Sequence, residues 1–309
     1  MKGTYTYIAR RILASLLALV GVSLVVFVIV RVLPGDPARI IAGLLASEAE
    51  VARIRVEMGL DRPLPVQYLD FVGGLIQGDL GLSLRTRRPV LVELLPRLQL
   101  TMVLAVTGTV VGSLLGVVAG VVGAARRYSR FDYAVSFGSL MGISMPVYWL
   151  GYLLIIAFAV NLHWLPAAGA DQATSIVLPT LTLAAFSMAL VARMTRGSML
   201  EVLGQDFIRT ARAKGVGERI VVYRHALRNA LIPVLTVIGL QFGSLLGGAV
   251  LTESVFAWPG MGVLLVNSIL NRDYPMVQGI VLVYAVLVVM VNLVVDLTYG
   301  WVDPRIRYD

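Results

Sequence analysis

Long apolar runs limit the structures that this chain can adopt more than any other feature of its sequence. Of its 309 residues, 58% are hydrophobic and only 14% are charged, and the mean hydropathy is +0.84. Runs of roughly 18 or more apolar residues are long enough to cross a bilayer as helices. The sequence therefore predicts an all-α, polytopic membrane protein that forms one domain over residues 1–309. The six predicted transmembrane helices cover residues 8–33, 98–123, 133–160, 176–192, 232–251 and 277–299.

Basic residues are distributed unevenly between the two sides of these spans. The side that includes both termini carries sixteen of the 26 lysines and arginines against six acidic residues, whereas the other side carries ten against eleven. Loops on the cytoplasmic side of a membrane are enriched in Lys and Arg. We therefore expect both termini to be cytoplasmic and residues 34–97 to form an outer loop; the resemblance described below implies the inner (cytoplasmic) membrane.

The chain lacks the residues that several kinds of chemistry require. It has no cysteine, and its two histidines, His163 and His225, lie far apart, so no metal site is predicted. Neither Lys2 nor Lys214 follows a Gly-x-x-x-x-Gly run, which excludes a P-loop. The spans contain no nucleophile and base set, which argues against an intramembrane enzyme. Anionic lipid accounts for the net charge of +8 without nucleic acid.

A self-sufficient secondary transporter or channel is a second functional class to consider. Such a transporter usually needs several ionisable groups inside the membrane, and Asp296 is the clearest one in these spans. Asn292 and Asp296 share one face of the sixth predicted helix. We favour a structural carboxylate that pairs with a loop arginine, Arg193 or Arg196, and contact with a passing substrate is the alternative.

The outer loop 34–97 has the pattern of a folded segment. Ser47 followed by Glu50 is a capping-box pattern that predicts a helix over residues 48–58, and Gly59 suits its C-terminal cap. A second short helix is expected over residues 66–77. We interpret the loop as an ordered helical cap. On the same side, residues 256–262 (FAWPGMG) are expected to lie in a short re-entrant helix.

The stretch 193–228 is the most basic cytoplasmic segment, with eight basic residues against three acidic ones. Its small residues Ala211 and Ala213 and the turn-forming Gly215 predict two short helices joined by a sharp turn, the second over residues 217–228. One interpretation is a surface that docks into the groove of a partner protein. The other is an anchor on anionic lipid, for which the small residues would serve no purpose.

Glycines and prolines recur inside the predicted spans. Glycines at every fourth position let two helix backbones approach closely, either within one bundle or between subunits, and both readings are open. Pro146 predicts a kink in the third span, and Pro233 is expected in the first turn of the fifth. The glycine ridges are Gly108, Gly112, Gly116 and Gly120; Gly138 and Gly142; and Gly239, Gly243 and Gly247.

Five parts of the chain, in order, resemble the B-type permease subunits of ABC importers for dipeptides and oligopeptides. Arg209 and Thr210 stand where the general permease motif has Glu and Ala, as they do in the peptide branch. The resemblance extends over nearly the whole chain. Its segments are 33–37 (LPGDP), 60–68 (LDRPLPVQY), 78–83 (GDLGLS), 209–215 (RTARAKG) with 225–233 (HALRNALIP), and 303–308 (DPRIRY).

The resemblance implies a type I ABC importer permease fold in which the stretch 193–228 couples transport to ATP hydrolysis. The implied partners are a second permease subunit, two cytoplasmic ATPases, an extracytoplasmic binding protein and membrane lipid. ATP and Mg would be bound by the ATPases, so this chain carries no cofactor. The implied substrates are peptides, with nickel chelates or oligosaccharides as alternatives.

Two sets of residues receive a role from this resemblance. The first set would contact the ATPases, and the second would contact the binding protein. The ATPase-docking residues are Arg209, Ala211, Arg212, Ala213, Lys214, Gly215, Arg219, Arg224 and His225. The binding-protein contacts are Asp79, Leu80 and Trp258.

Overall fold

The computed structural model describes residues 2–32, 37–43 and 46–302. Most of the segment 33–37 and all of the segment 303–308 lie outside this range. The described part is built from helices and contains no strand beyond an isolated bridge between Leu82 and Pro89. The helices are α1 Lys2–Val32, α2 Pro37–Ala42, α3 Glu48–Glu57, α4 Leu64–Ile76, α5 Val90–Ala125, α6 Arg130–Ser144, α7 Val147–Leu154, α8 Val177–Leu203, α9 Asp206–Ala213, α10 Glu218–Ile220, α11 Leu227–Val255, α12 Met261–Leu270 and α13 Tyr274–Val302.

Five helical segments in the described ranges are long and apolar enough to cross a membrane, and a bent pair adds a sixth if it counts as one span. The predicted spans are therefore confirmed in order, but their bounds differ. The second span begins at Val90 and includes Pro96 inside the helix. The fourth continues to Leu203, well into the stretch that the sequence assigned to a cytoplasmic loop.

The third span is a broken helix rather than a kinked one. Helix α6 ends at Ser144, α7 begins at Val147, and the two are bent by 105°. The cause is local, because the residue before a proline is pushed out of the α-helical region. Met145 has the extended value ψ 128°, and Pro146 becomes the N-cap of α7. Beyond Leu154 the helix continues as a π-helix over Ile155–Asn161.

The described part of the predicted outer loop forms helices much as its sequence predicts. The Ser47 side chain accepts a hydrogen bond from the N–H of Glu50, 3.3 Å away, at the start of α3. At the other end Gly59 adopts φ +64°, and the N–H of Leu60 donates to the carbonyl of Arg55 at 3.0 Å. This is a Schellman cap. The helix and both of its caps are confirmed, and α4 confirms the second short helix of this loop. The short helix expected over residues 256–262 is misplaced, because α12 begins only at Met261 and continues to Leu270.

The chain divides into two compact units, which are described separately. The first contains residues 1–99 and 260–289, and the second contains residues 100–259 and 290–309. In the first unit, α1 meets α4 through a Phe27–Tyr68 ring contact with centroids 5.3 Å apart. The turn before α5 is tied to the start of α13 because the N–H of Leu84 donates to Asp273 at 3.0 Å. The core of this unit is formed by Val90, Leu94, Met261, Met276 and Ile280.

In the second unit, α5 packs on α8 along its glycine ridge. A Cβ added at Gly112 would lie 2.7 Å from the carbonyl oxygen of Ala184, and one added at Gly120 would lie 2.7 Å from that of Ala192. Such distances leave no room for a side chain, so the two backbones approach as closely as glycine allows. This ridge therefore packs two helices of one bundle together, which is the first of the two interpretations given for the glycines. By contrast, Gly138 has nothing within 4 Å of an added Cβ.

A buried ion pair joins α6 to α8 in the same unit. One edge of the Arg196 guanidinium faces Asp132: Nε donates to Oδ1, and Nη2 donates to Oδ2 at 2.9 Å. Asp132 also accepts the N–H of Tyr128 at 3.0 Å, and its own N–H is capped by Ser129. Loss of Arg196 would leave the buried carboxylate of Asp132 without its countercharge and destabilise the packing of α6 on α8. The carboxylate bound to Arg196 is thus Asp132 and not the expected Asp296. Pairing of Asp296 with Arg193, the other arginine considered, stays a prediction.

We expect Gly112→Val to destabilise the contact between α5 and α8. Its branched side chain would overlap backbone and Cβ atoms of α8, and overpacking of this kind costs about 1–3 kcal/mol. Gly138→Val is the matched control, since it makes the same change on a helix with open space around it. Thermal unfolding of the purified protein in detergent measures the difference. Equal unfolding midpoints for the two variants would contradict the close-packing assignment.

The orientation derived from the charges can be tested with two exposed alanines. Ala52 lies on α3 in the predicted outer loop, and Ala213 ends α9 in the predicted cytoplasmic stretch. Since the chain has no cysteine, Ala52→Cys and Ala213→Cys each provide one thiol. We expect a membrane-impermeant maleimide to label the first in intact spheroplasts, and the second only after lysis. Labelling of Ala213→Cys in intact spheroplasts would reverse the orientation.

Candidate docking site

Residues 206–226, which lie in the predicted cytoplasmic stretch, pack against the ends of three long helices. We call residues 206–226 the docking element. On its inner side, Ile208, Ala211 and Val216 face a buried apolar cluster that also contains residues of α5, α8 and α11. Ile208 and Ala211 are three residues apart on α9, so they share one face of that helix. The buried members of the cluster are Val121, Ala124, Met199, Val202, Ile208, Val221, Val222, Ala226 and Ala230.

Gly215 closes α9 with the sharp turn that its sequence predicts. Its φ of +77° lies in the left-handed region, which is readily available only to glycine. The N–H of Gly215 donates to the carbonyl of Arg212 at 2.9 Å, and the N–H of Val216 donates to that of Ala211 at 3.2 Å. These two bonds define a Schellman cap. An added Cβ at Gly215 would contact nothing within 4 Å, so the need for glycine comes from the backbone conformation alone.

A bidentate ion pair spans the same turn. Arg212 donates from Nε to Glu218 at 3.0 Å and from Nη2 at 2.6 Å. The bond to the carboxylate raises the pKa of Arg212 above its ordinary value. Both side chains remain partly exposed, so the pair contributes at most about 1 kcal/mol. Arg212 therefore helps to hold the turn, a contact that sequence reasoning missed because it considered Arg212 only as a surface charge.

The second half of the docking element is not a separate short helix. From Glu218 to Val255 the chain forms one continuous helical segment, whose residues Val221–Ala226 are π-helical. The expected short helix over residues 217–228 is wrong for this reason. Pro233 consequently lies inside α11 and not in a first turn. Tertiary packing of Val221, Val222 and Ala226 in the apolar cluster supports this extension.

The outward face of the docking element is basic and apolar. Of the predicted docking residues, Ala211 and His225 are half-buried and the others are exposed. Three large apolar side chains that the sequence reading left out are also exposed: Phe207 at 41%, Ile220 at 50% and Tyr223 at 58%. The position of Phe207, beside the inward-facing Ile208, would have placed it on the outer face. The exposed basic residues are Arg209, Arg212, Lys214, Arg219 and Arg224.

The predicted contacts of the outer face differ in their surroundings. Asp79 is exposed, and Leu80 packs against the apolar core of the first unit. Trp258 is only 4% exposed, and its indole N–H donates to the carbonyl of Leu100 at 3.2 Å. Its ring packs with Leu104, Leu183 and Leu245. A role for Trp258 as a surface contact is therefore wrong, because an aromatic ring with a hydrogen-bonded N–H favours burial here.

The polar residues of the sixth span lie where α13 meets α11. Asn292 is exposed and Asp296 is half-buried. Beside Asp296, Val295 packs on Gly239, where an added Cβ would come within 2.3 Å of it. This contact accounts for the glycine at position 239. Whether Asn292 and Asp296 touch a substrate stays a prediction.

Two family models match this chain. Residues 112–308 match the binding-protein-dependent transport system inner membrane component, and residues 4–105 match the N-terminal region of such membrane components. Among its relatives, the dipeptide transport system permease protein DppB of Alkalihalophilus pseudofirmus is 43% identical. The glutathione transport system permease protein GsiC of Escherichia coli K12 is 46% identical. Each alignment covers 98% of this chain and 99% of the relative.

Solved structures of ABC transporters share the fold. The inward-facing MetNI methionine transporter matches with a TM-score of 0.59 and 20% identity, over 68% of this chain and 96% of that one. An amino acid ABC transporter matches with a TM-score of 0.53 and 17% identity, over 67% and 92%. The fold is thus that of type I importer permeases. This chain belongs to the family of binding-protein-dependent transport system inner membrane components, the non-catalytic, multi-pass permease subunits of ABC importers.

Proposed function

We propose that this chain imports short peptides as one permease of a heteromeric ABC importer. Its partners would be a second, similar permease, two cytoplasmic ATPases that bind ATP and Mg, and an extracytoplasmic binding protein. The docking role rests on one observation. The inner side of the docking element is buried in an apolar cluster, whereas its outward face exposes basic and apolar side chains. The peptide class rests on relatives that are 43–46% identical over nearly their whole length and are named for dipeptides and glutathione.

The exposed face suits the groove of a partner protein. Helical segments that dock into grooves use apolar anchors flanked by charge. Phe207, Ile220 and Tyr223 would supply the anchors, and the neighbouring arginines would meet an acidic rim. An interfacial lipid anchor also combines apolar and basic residues. The Schellman cap at Gly215 and the Arg212–Glu218 pair favour docking, since they fix a shape that a fluid headgroup layer does not require.

Two continuous helices would carry motion away from the docking element. Helix α8 reaches it from one side through Met199 and Val202, and α11 continues from it without a break at Glu218. Because the cluster between them is buried, displacement of the docking element would move these helix ends together. Closure of the ATPase pair on ATP would thus be passed to the spans. The chain itself contributes no group to ATP hydrolysis.

The turn at Gly215 provides the sharpest test of docking. We expect Gly215→Ala to reduce recovery of the ATPases with the affinity-purified permease, because a β-carbon at φ +77° costs about 1–2 kcal/mol. Gly217→Ala is the matched control: it lies two residues away, has ordinary φ −59° and has nothing within 4 Å of an added Cβ. Equal recovery of ATPase with both variants would contradict a docking role for this turn.

The substrate class is tested by uptake in a strain that lacks this chain. We expect the wild-type chain to restore uptake of labelled dipeptides, and a partner ATPase with an inactivated P-loop lysine to abolish it. Glutathione, a nickel chelate and an oligosaccharide are tested in parallel. Restored uptake of one of the last two, without dipeptide uptake, would overturn the peptide assignment. Uptake that survives without an active ATPase would indicate a self-sufficient transporter.

A further inference from the structure

The first unit contains a cavity that the docking role does not use. Its volume is about 540 Å³, and it is lined by residues of α1, α3, α4, the segment 79–84 and the start of α13. Sites for small molecules typically have volumes of about 300–1,000 Å³ and mostly apolar walls with a few placed polar groups. The apolar part of this wall includes Met58, Leu60, Leu64, Phe71, Leu80 and Leu84.

Arg31 supplies a fixed positive charge to this wall. Its Nε donates to Gln67 at 3.0 Å, and its guanidinium lies over the ring of Phe27, 3.5 Å from the ring centroid. Gln67 is held in turn, since its amide donates to the carbonyl of Arg62 at 2.8 Å. No carboxylate in the described ranges pairs with Arg31, and its Nη2 has no hydrogen-bond acceptor there. The cation is therefore oriented but not neutralised.

Asp79 supplies a fixed negative charge to the same cavity. Its Oδ1 accepts the N–H of Gly81 at 2.8 Å, which sets the orientation of the carboxylate. Among the described residues no basic side chain pairs with Asp79, and it is not in ion-pair contact with Arg31. The other carboxylate of the wall differs, because Asp70 pairs with Arg62 at 3.0 Å. Asp79 is thus the carboxylate that remains available to a ligand.

Gln278 adds a buried donor. Its side chain lies on the cavity wall and is only 9% exposed, and its Nε2 has no hydrogen-bond partner within the described part of the chain. Buried amide donors are nearly always satisfied, and one without a partner requires an explanation. A ligand acceptor in the cavity would satisfy it. The wall contains two arginines, Arg31 and Arg55, and two carboxylates, Asp70 and Asp79. Of these we consider Arg31 and Asp79, together with the amide of Gln278, as groups that a ligand can contact.

We propose that this cavity binds a small zwitterion of the amino acid or short-peptide class. The carboxylate of the ligand would accept hydrogen bonds from Arg31 and Gln278, and its ammonium group would donate to Asp79. A zwitterion places opposite charges beside both Arg31 and Asp79, whereas a ligand of one charge sign pairs with only one of them. The apolar wall would receive the side chains. That the bound molecule is cargo for import rests on the proposed function, but the binding itself does not.

The test uses the full chain purified with its partner subunits in lipid nanodiscs, without the binding protein. Isothermal titration compares L-alanyl-L-alanine with its N-acetyl derivative and with its C-terminal amide. Charge-assisted hydrogen bonds are the strong ones, so we expect each blocked peptide to bind at least about tenfold more weakly than the free dipeptide. Equal binding of free and blocked peptides would overturn the proposal.

Two variants assign each end of the ligand to its residue. Asp79→Asn retains the acceptor for Gly81 and removes the charge, so we expect it to weaken the free dipeptide roughly tenfold and to leave the N-acetyl peptide unchanged. Gln278→Met keeps the size but removes the donor, so it should weaken the free dipeptide and leave the C-terminal amide unchanged. Asp61→Asn, at an exposed carboxylate outside the cavity, is the matched control.

The outcomes separate this inference from the proposed function. If Asp79→Asn binds the free dipeptide as the Asp61→Asn control does, the inference is wrong, whatever uptake shows. If no dipeptide binds to the complex, the cavity is not a site for this class of ligand and the inference is also wrong. If the cavity binds dipeptide with the expected pattern while uptake of dipeptide is not restored, the inference stands and the proposed function does not.

Discussion

The close approach of α5 and α8 supports the rest of the second unit. The glycines at positions 108, 112, 116 and 120 bring the α5 backbone against that of α8, with contact distances that permit no side chain. With lipid on the outside, helices gain little from burying apolar area, so backbone proximity and van der Waals contact must hold them together. Helix α8 also contacts α6 and the docking element. It anchors α6 through the Asp132–Arg196 pair, and its end supplies Met199 and Val202 to the docking element.

The docking element divides its residues between two tasks. Residues such as Ile208 and Val221 are buried against the ends of the long helices, which makes the element part of the folded unit. Phe207, Ile220 and Tyr223 remain exposed, although each could bury substantial apolar area. In the proposed complex these three side chains would contact the ATPases.

The charges of this chain follow two patterns. Asp132 and Arg196 satisfy each other, and their burial makes the pair a structural link between α6 and α8. Arg31 and Asp79 are held by neutral groups, Gln67 and the Gly81 N–H, and face a shared cavity. The physical difference is that Asp132 and Arg196 neutralise each other's charge. Arg31 and Asp79 make no ion pair with each other, so each can still interact with a charge of opposite sign on a ligand. Of these residues, only Arg31 and Asp79 are therefore placed to form ionic hydrogen bonds with a ligand.

The sequence by itself determined the features that depend on neighbouring residues. The caps at Ser47, Gly59 and Gly215 are local, since each involves backbone groups a few residues away. Pro146 likewise predicted a kink in the third span. The structure has a full break there, because Met145 before the proline is extended. Tertiary structure alone decided the partner of Arg196, which lies 64 residues away, and the burial of Trp258, whose acceptor lies 158 residues away. Periodicity reports which face of a helix is apolar, but it carries no information on which distant helix covers that face.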